Sequence, residues 1–458
     1  MSHSFVVSTL RREIGLWRGI SLNMIEMVGI GPFITIPFIL TAMGGSRSML
    51  AWILGGLLAI SDGLVTAELA SQFPSSGGSY VFLRESYGAL RWGRLFSFLF
   101  LFQIIISAPL SIASGAIGFS HYLEFIIPGV PFSPGPLAAA LCLLTMALLM
   151  RRIDSIGRFS VLLWVGVMGT LGIVIAAGLP HLKLSSFTFW SAPRLDQGHG
   201  FDGLGIALIF AVYDYLGYYN IANIGGEVRD ARRTVPRVIV ISILAIAAIY
   251  ITMNACLTSV LPMKAAMTSK AIVSDYLRIL LGSRVARVVT VFILWTAFAS
   301  IFSVMLGYSR ILFAAGRDGN FFRIFGRLHP TEAYPMFAVA ALGLIASVFC
   351  FLPLKTVLKS ILSIRAVIPF MAQIVGAIML RQRKPKSEIP FRMWLYPLPS
   401  VIALGLWAYI VVSPEKGFRI GGAVVIAAGI LVFYVRRWAG KEQIASSELG
   451  EEPVENSE

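Results

Sequence analysis

The chain is poor in charged residues, which make up 13% of its 458 residues, and acidic residues are scarcer than basic ones. A soluble globular domain carries roughly 25% charged residues, because its surface faces water. Here 57% of the residues are hydrophobic and the mean hydropathy is +0.80. These values exclude an ordinary soluble domain and indicate a polytopic membrane protein.

Cysteine and histidine are also scarce. The cysteines Cys142, Cys256 and Cys350 fall in or beside apolar runs, where a small buried hydrophobic side chain is expected rather than a disulfide or a metal site. The histidines form no H-E-x-x-H motif, and no G-x-S-x-G motif occurs. The sequence gives no support for metalloprotease or serine hydrolase chemistry, so we predict neither an enzyme activity nor a cofactor.

Apolar runs long enough to cross the hydrocarbon core, about 20 residues each, recur along the chain and predict an all-α protein with twelve transmembrane helices. These lie near residues 19–42, 49–73, 95–124, 136–151, 159–181, 203–224, 237–262, 285–312, 335–353, 357–380, 393–413 and 417–435. We expect a transmembrane domain over 19–437, an N-terminal tail over 1–18 and a C-terminal tail over 438–458. The tail is polar and acidic from residue 441, which predicts disorder there.

The net charge of +15 raises the question of a nucleic-acid partner, but the placement of the basic residues indicates membrane orientation instead. With a cytoplasmic N-terminus, inward segments hold 25 Lys and Arg residues and outward segments hold 12. This positive-inside pattern predicts a cell-membrane protein with both termini in the cytoplasm. Five of the outward residues lie between Lys264 and Arg287, which we expect to form an amphipathic extracellular segment. The basic loops lack interleaved stacking aromatics, so no nucleic-acid partner is predicted.

Two of the spans are interrupted at their middle. The first carries Gly29, Gly31 and Pro32, which add backbone freedom and remove one amide donor. The sixth carries an acid and several polar residues in the stretch AVYDYLGYYNIANIGGEV that begins at Ala211. Irregular backbone persists in a bilayer only where it lines a cavity or a pathway. Paired interruptions in two halves of a chain are typical of inverted-repeat transporters, whose half-helix ends suit a zwitterion.

Several stretches together form a recognisable pattern over nearly the whole chain. They are GIGPF from Gly29, TAELASQFPSSGGSY from Thr66, YLGY from Tyr215, EVRD from Glu227, VPRV from Val235, SRILFAAGRDG from Ser309, IPFR from Ile389 and YPLP from Tyr396. In this order they resemble the permeases of the amino acid/polyamine/organocation (APC) superfamily. The resemblance implies a secondary transporter with a 5+5 inverted repeat, broken helices 1 and 6, and two further C-terminal helices. The repeats would cover about 19–182 and 203–381, and the extra helices 392–437.

The resemblance also implies a substrate site at the two breaks. Main-chain amides of the first break would face a substrate carboxylate, and carbonyls of the sixth-span break would face its amine. Tyr213 would close over the substrate and Tyr219 would line the site. Pro32 departs from the family pattern, in which a small aliphatic residue is usual. The expected substrate-binding residues are Gly29, Ile30, Gly31, Tyr213, Asp214, Tyr215, Gly217 and Tyr219.

Ionisable residues inside a span need a partner, water or a proton. Asp214 stands where relatives usually have a small residue, and we expect it to contact the substrate, with a cap for the broken helix as the alternative. Glu26 and Asp62 either pair with a buried cation or carry protons. Glu68 is expected to bind a loop arginine, and Arg365 needs a partner that the sequence does not identify.

The coupling ion is left open by the sequence. Some proton-coupled relatives carry a lysine in span five, but residues 160–177 contain none. Ser300 and Ser303 in span eight could help to hold sodium with carbonyls of span one. The candidates for proton or ion coupling are therefore Glu26, Asp62, Ser300 and Ser303, beside a proton on Asp214 or plain exchange.

The sequence favours an amino acid permease that binds its solute at the breaks of helices 1 and 6 within the lipid bilayer. A polyamine or another organic amine is the alternative solute. An intramembrane aspartyl protease would explain Asp62 and Asp214 as two acids that share a proton, although the glycine-rich motif expected at its second aspartate is missing. A channel would explain polar residues within spans.

Overall fold

The computed structural model is built from α-helices. It describes residues 12, 14–45, 47–75, 77–88, 92–128, 133–150, 156–183, 202–329 and 334–448. Within these ranges no β-strand occurs, and an isolated bridge joins Ile14 to Val228. Most of the predicted N-terminal tail and residues 449–458 of the predicted C-terminal tail lie outside the described residues.

The helices follow the predicted apolar runs, because a helix satisfies its own backbone hydrogen bonds in hydrocarbon. They are α1 (Leu16–Met27), α2 (Gly31–Met43), α3 (Ser48–Gln72), α4 (Ser79–Ser86), α5 (Gly93–Ile126), α6 (Pro134–Leu149), α7 (Ile156–Gly178), α8 (Asp202–Tyr215), α9 (Asn220–Asn223), α10 (Ala231–Val260), α11 (Met263–Thr268), α12 (Ile272–Arg317), α13 (Met336–Phe349), α14 (Leu354–Arg365), α15 (Gln373–Arg383), α16 (Leu398–Val412) and α17 (Lys416–Glu448). A π-helix, Ala366–Ala372, joins α14 to α15.

Seven of the described helical segments are single spans, long and apolar enough to cross a membrane: α3, α5, α7, α10, α12, α14 with α15, and α17. The pair α1 and α2 meets the same criterion as one span bent by 47°. Shorter apolar helices are α6, α8, α13 and α16. The prediction of an all-helical polytopic membrane protein is therefore confirmed.

The centre of the bundle is formed by the helices around α3. This helix packs along α10 and α8 and also contacts α16, while α5 packs along α12. α2 packs against α8, which brings the two interrupted spans together. α17 lies at the edge, where it contacts α5 and α14 and exposes Val424, Leu431 and Trp438. Such an apolar outer surface suits contact with lipid tails.

One segment adds detail to the sequence-based expectation, and another contradicts it. The basic stretch 264–287 is helical but divided, since α11 is followed by the start of α12 and Gly282 interrupts α12 with a φ of +80°. The predicted disorder of the C-terminal tail is wrong for residues 441–448, because α17 continues to Glu448. Extending an existing helix is easier than starting one, and the first proline after this helix is Pro453.

Candidate functional site

The first span is broken between Met27, where α1 ends, and Gly31, where α2 begins. Pro32 lies in the first turn of α2, where its missing amide hydrogen removes no helical bond. The break leaves carbonyl groups without helical partners. The Tyr250 hydroxyl donates a bifurcated hydrogen bond to the carbonyls of Met27 at 2.8 Å and Asp214 at 3.3 Å, so it joins the two interrupted spans.

The sixth span is broken between Tyr215, where α8 ends, and Asn220, where α9 begins. Gly217 has a φ of +107°, and a β-carbon at this position would lie 2.9 Å from the carbonyl carbon of Glu26. A glycine is therefore needed both for the backbone conformation and for the close approach of the first span.

Asn23 holds the two breaks together from the side of α1. Its side-chain amide donates a 3.0 Å hydrogen bond to the Tyr218 carbonyl, and its Oδ1 accepts a 3.1 Å hydrogen bond from the Ile221 amide. Tyr218 lies in the break after α8, and Ile221 lies in the first turn of α9. Because these backbone groups would otherwise be unsatisfied in the bundle interior, Asn23 stabilises the broken conformation.

A cavity of about 60 Å³ lies between the two breaks. A cavity needs roughly 10–15 Å³ of volume measured in this way to hold one water molecule, so this cavity has room for a few water-sized groups. The lining residues come from both breaks, from α5, from α12 and from the end of α14. They are Glu26, Met27, Gly29, Gly31, Ser111, Tyr213, Asp214, Leu216, Gly217, Tyr219, Asn220, Ser300, Val304, Tyr308 and Arg365.

Asp214 presents one bound and one unbound oxygen. Its Oδ2 accepts a 2.5 Å hydrogen bond from the Thr35 hydroxyl, one turn inside α2. Its Oδ1 is buried and has no hydrogen-bond partner among the described residues. Gly31 lies beside this free oxygen, since a β-carbon on Gly31 would collide with it. Neighbouring Tyr213 is hydrogen-bonded to the Ser114 hydroxyl at 2.7 Å.

Arg365 brings a cation into the same cavity. Its Nη2 donates hydrogen bonds to the hydroxyls of Tyr308 at 2.7 Å and Tyr219 at 2.8 Å. Its Nε is buried and finds no hydrogen-bond partner in the part of the chain that the structure describes. The partners that the sequence did not identify are thus two tyrosines, which fix the guanidinium without neutralising it.

Glu26 is the second acid of the cavity wall. Its Oε2 accepts a 2.7 Å hydrogen bond from the Ser303 hydroxyl, and the positive charge of Arg365 acts on it. Ser300 lines the cavity next to Gly29, where a β-carbon would lie 2.6 Å from the Ser300 hydroxyl. Ser303 therefore orients the carboxylate of Glu26. Ser300 leaves no room for a side chain larger than that of glycine at position 29.

Four of the residues predicted for substrate binding or coupling do not line this cavity: Ile30, Tyr215, Asp62 and Ser303, the last of which reaches it only through its hydrogen bond to Glu26. Tyr215 points the other way, packs against Trp52 and donates a 3.1 Å hydrogen bond to the Trp52 carbonyl. Ile30 is buried within the hydrophobic core. Asp62 accepts hydrogen bonds from the Tyr218 hydroxyl at 2.5 Å and from the Trp407 indole at 3.3 Å.

The hydrogen bonds of Asp62 and Asp214 do not support the aspartyl protease alternative. In an aspartyl protease the two carboxyl groups share one proton, which requires them to be in contact. Here Asp62 binds Tyr218 and Trp407, whereas Asp214 binds Thr35. The two acids therefore belong to separate hydrogen-bonded groups.

Glu68 lies away from the cavity, in a buried ion pair with Arg381 of α15. Arg381 Nε and Nη2 donate to the two Glu68 carboxylate oxygens at 2.6 Å and 2.5 Å, and the Met393 amide adds a 2.7 Å bond. An arginine partner is present as expected, but it lies in the last turn of α15 rather than in a loop. The pair ties the end of α3 to the segment after α15.

Sequence reasoning missed part of the cavity wall. Ser111, Asn220, Val304 and Tyr308 gave no local signal, because a lone serine or tyrosine in an apolar span is as common in a packed core. Arg365 was noticed only as a charge that needed a partner.

Among the described residues no group of His, Cys, Asp or Glu side chains could hold a metal ion. Cys142 and Cys350 are free thiols whose sulfur atoms lie 3.6 Å apart.

Comparison with known proteins identifies the family. The family described as amino acid permease matches residues 14–435. The serine/threonine exchanger SteT of Bacillus subtilis (strain 168) is 25% identical over 437 residues, covering 93% of this chain and 97% of the relative. The Asc-type amino acid transporter 1 of Homo sapiens is 25% identical over 446 residues, covering 93% and 82%. The methylthioribose transporter of Bacillus subtilis (strain 168) is 23% identical over 426 residues, covering 89% and 90%. The resemblance seen in the sequence is thereby confirmed, and the chain belongs to the amino acid permeases, a family of membrane transporters.

Proposed function

We propose that this permease moves a small polar α-amino acid by alternating access and holds it in the cavity between the two broken spans. The observation that supports this most directly is Asp214 Oδ1, a buried oxygen without a partner on the cavity wall. A buried acceptor that lacks a donor is unfavourable. The ammonium group of an amino acid would satisfy it, helped by the carbonyls between Tyr213 and Gly217 at the negative end of α8.

The carboxylate of the solute would face the opposite charge of the cavity. The free Nε of Arg365 is a charged donor, and guanidinium groups bind carboxylates strongly. Main-chain amides at Gly29, Ile30 and Gly31 lie at the N-terminal end of α2, where a helix attracts anions. An α-amino acid is the simplest solute that carries both groups, while Tyr213 and Tyr219 would enclose it.

The size of the cavity favours a short side chain. At about 60 Å³ it leaves little room beyond the ammonium and carboxylate groups. One of the similar proteins is named as an exchanger of serine and threonine, two amino acids with short polar side chains. We therefore place serine and threonine first among the solutes to be tested.

A polyamine or another organic amine is the second candidate, because Asp214 and Glu26 both present carboxylates to the cavity. Arg365 argues against it. A second ammonium group would lie near a buried guanidinium, where like charges repel strongly in a medium of low dielectric. An amino acid offers a carboxylate to the same guanidinium.

Thermal-shift measurements on the purified protein test the proposal. A ligand that binds only the folded state raises its stability by mass action. We expect L-serine or L-threonine to raise the melting temperature and to show saturable counterflow in proteoliposomes, which a channel would not show. If putrescine gives both effects and neither amino acid does, the solute is an amine and the amino acid proposal is wrong.

We also propose the architecture that the family resemblance implies. The bent pair, the seven long spans and the four shorter apolar helices fit twelve spans. They would form two inverted repeats of five, over about 19–182 and 203–381, with two further helices over 392–437. The distribution of basic residues supports cytoplasmic termini in the cell membrane. We propose transport without any making or breaking of covalent bonds in the solute.

A further inference from the structure

Asp62 is a buried acid that the proposed solute site does not use. It lies in the interior of α3 and is fully buried. Its Oδ2 accepts from the Tyr218 hydroxyl at 2.5 Å, and its Oδ1 accepts from the Trp407 indole at 3.3 Å. Thr66 lies one turn further along the same helix.

The groups that face Asp62 from the surrounding helices are neutral. α16 contributes Trp407, and the break after α8 contributes Tyr218. α10 places the apolar side chains of Ile239 and Ile243 against the adjoining Gly63. Among the described residues, α8 and α10 also bring the tyrosines Tyr215 and Tyr250 against Trp52 of α3.

The nearest charged groups along α3 and α15 neutralise each other. Glu68 lies six residues after Asp62 and is bound by Arg381, while Gln373 of α15 donates to Thr66 at 3.0 Å. An ionised Asp62 would therefore stand in a low-dielectric environment without a counter-ion. A proton removes that charge.

The negative charges of the other two acids, Glu26 and Asp214, can be compensated by positive charges. Glu26 lies within the field of Arg365 and accepts a hydrogen bond from Ser303. Asp214 faces the cavity, where the solute ammonium would bind. Among the described residues, Asp62 thus has neither a cationic partner nor a place on the cavity wall.

Asp62 is nevertheless linked to the solute cavity by two chains of contacts. Tyr218 packs edge-on against Tyr219 at 5.2 Å between ring centroids. Trp407 stacks on Phe370 at 4.2 Å, and Phe370 contacts Tyr219 at 5.8 Å. The Tyr219 hydroxyl in turn binds Arg365. A change at Asp62 therefore reaches both the sixth-span break and the cation of the cavity.

We propose that Asp62 is the proton-binding residue of this permease and that it couples solute uptake to proton uptake. The proton would pass from water to an Asp62 carboxylate oxygen while the bundle is open to the outside. It would return to water when the bundle is open to the cytoplasm, so one proton crosses with each solute. This inference rests on the proposed transport function.

Proteoliposomes that contain a pH indicator test the coupling. L-serine, or whichever solute the thermal-shift screen identifies, is added outside without an imposed pH gradient. We expect the wild-type protein to acidify the lumen, and an outside-acid gradient to raise solute accumulation at least threefold. Solute counterflow without lumen acidification would leave the proposed function standing and overturn the coupling.

The variant Asp62→Asn separates coupling from transport, since asparagine imitates the protonated acid. We expect counterflow within about twofold of wild type, with lumen acidification and the response to the gradient both lost. Retained acidification in Asp62→Asn, together with its loss in Glu26→Gln, would move the proton site to Glu26. Absence of counterflow in the wild-type protein would instead overturn the proposed function.

Tyr218→Phe provides a test that keeps the acid in place. The tyrosine hydroxyl donates to the carboxylate, so its removal should favour the protonated acid and raise the pH of half-maximal uptake. Tyr434→Phe, at an exposed position on α17, is the matched control and should leave this pH unchanged. An unchanged midpoint in Tyr218→Phe would overturn the assignment.

Discussion

The Thr35 hydroxyl donates a 2.5 Å hydrogen bond to Oδ2 of Asp214 and so connects the second half of span one to the first half of span six. The bond fixes the direction of the carboxylate and leaves Oδ1 free at the cavity. A rigidly held acceptor loses little entropy when a ligand binds. The pair therefore accounts for both the position and the availability of the proposed ammonium site.

Asp214→Asn should weaken binding of the native solute at least tenfold, about 1.4 kcal/mol or more. The amide keeps the size of the side chain but removes the negative charge that attracts an ammonium group. Titration of the purified protein, followed by its melting temperature, measures the change. Thr35→Val should have a smaller effect of the same sign, because it releases the carboxylate without neutralising it. Wild-type affinity in Asp214→Asn would identify the acid as a cap for the broken helix.

Gly31→Val should abolish solute binding while leaving the protein inserted and folded. A β-carbon at this position collides with Asp214 Oδ1 and lies 3.2 Å from the Tyr213 ring, so added bulk fills the site. Binding and size-exclusion behaviour are measured together. Gly169→Val is the matched control, since the space around Gly169 on α7 is open. Normal affinity in Gly31→Val would show that this glycine serves helix packing alone.

The two breaks could be predicted from the sequence because their causes are local. Glycine and proline interrupt the first span at Gly29–Pro32, and Gly217 supplies the positive φ of the second break. The family pattern placed Tyr213 and Asp214 at the same site. For these residues, the amino acids next to them in the sequence are enough to predict the break.

The convergence of distant side chains could not be predicted in the same way. Tyr213 and Tyr215 are two residues apart, yet one lines the cavity and the other packs on Trp52. Arg365 lies more than 140 residues after Tyr219, its hydrogen-bond partner, and the π-helix that follows α14 changes the rotation of span ten. Such contacts depend on which face of each helix points to the cavity, and the hydropathy of the sequence does not determine this rotational orientation.

Arg381→Ala should destabilise the protein by about 3 kcal/mol or more, because it leaves the buried carboxylate of Glu68 without its cation. Removing both charges in Glu68→Gln/Arg381→Met should cost less than the single change. Thermal unfolding in detergent, compared at equal lipid content, measures both variants. Arg84→Ala, which breaks a partly exposed pair with Glu85, should have little effect. Equal stability of Arg381→Ala and wild type would show that water solvates the Glu68 carboxylate when the arginine is removed.

The orientation in the membrane can be tested by cysteine labelling. In a background without Cys142, Cys256 and Cys350, cysteine is introduced at Arg233 or at Lys264, both of which are exposed. We expect an impermeant maleimide to label position 264 in intact cells and position 233 only after permeabilisation. The reverse result would place the termini outside.

Arg365→Lys should weaken solute binding at least tenfold although it preserves the charge. The guanidinium binds Tyr219 and Tyr308 through Nη2 and keeps Nε free for a carboxylate, whereas an ammonium group is a single point that cannot span these positions. Titration with the zwitterion and with its amine analogue, which lacks the carboxylate, measures the effect. We expect the variant to lose affinity for the amino acid and to change little toward the amine.

The matched control for this variant is Arg437→Lys, at an exposed position near the end of α17. It should leave both affinities unchanged. Tyr308→Phe should cause an intermediate loss, because it removes one of the two hydrogen bonds that orient the guanidinium while the other remains. If Arg365→Lys weakens the amine and the amino acid equally, the guanidinium supports the cavity wall and the carboxylate is held by backbone amides of the first break.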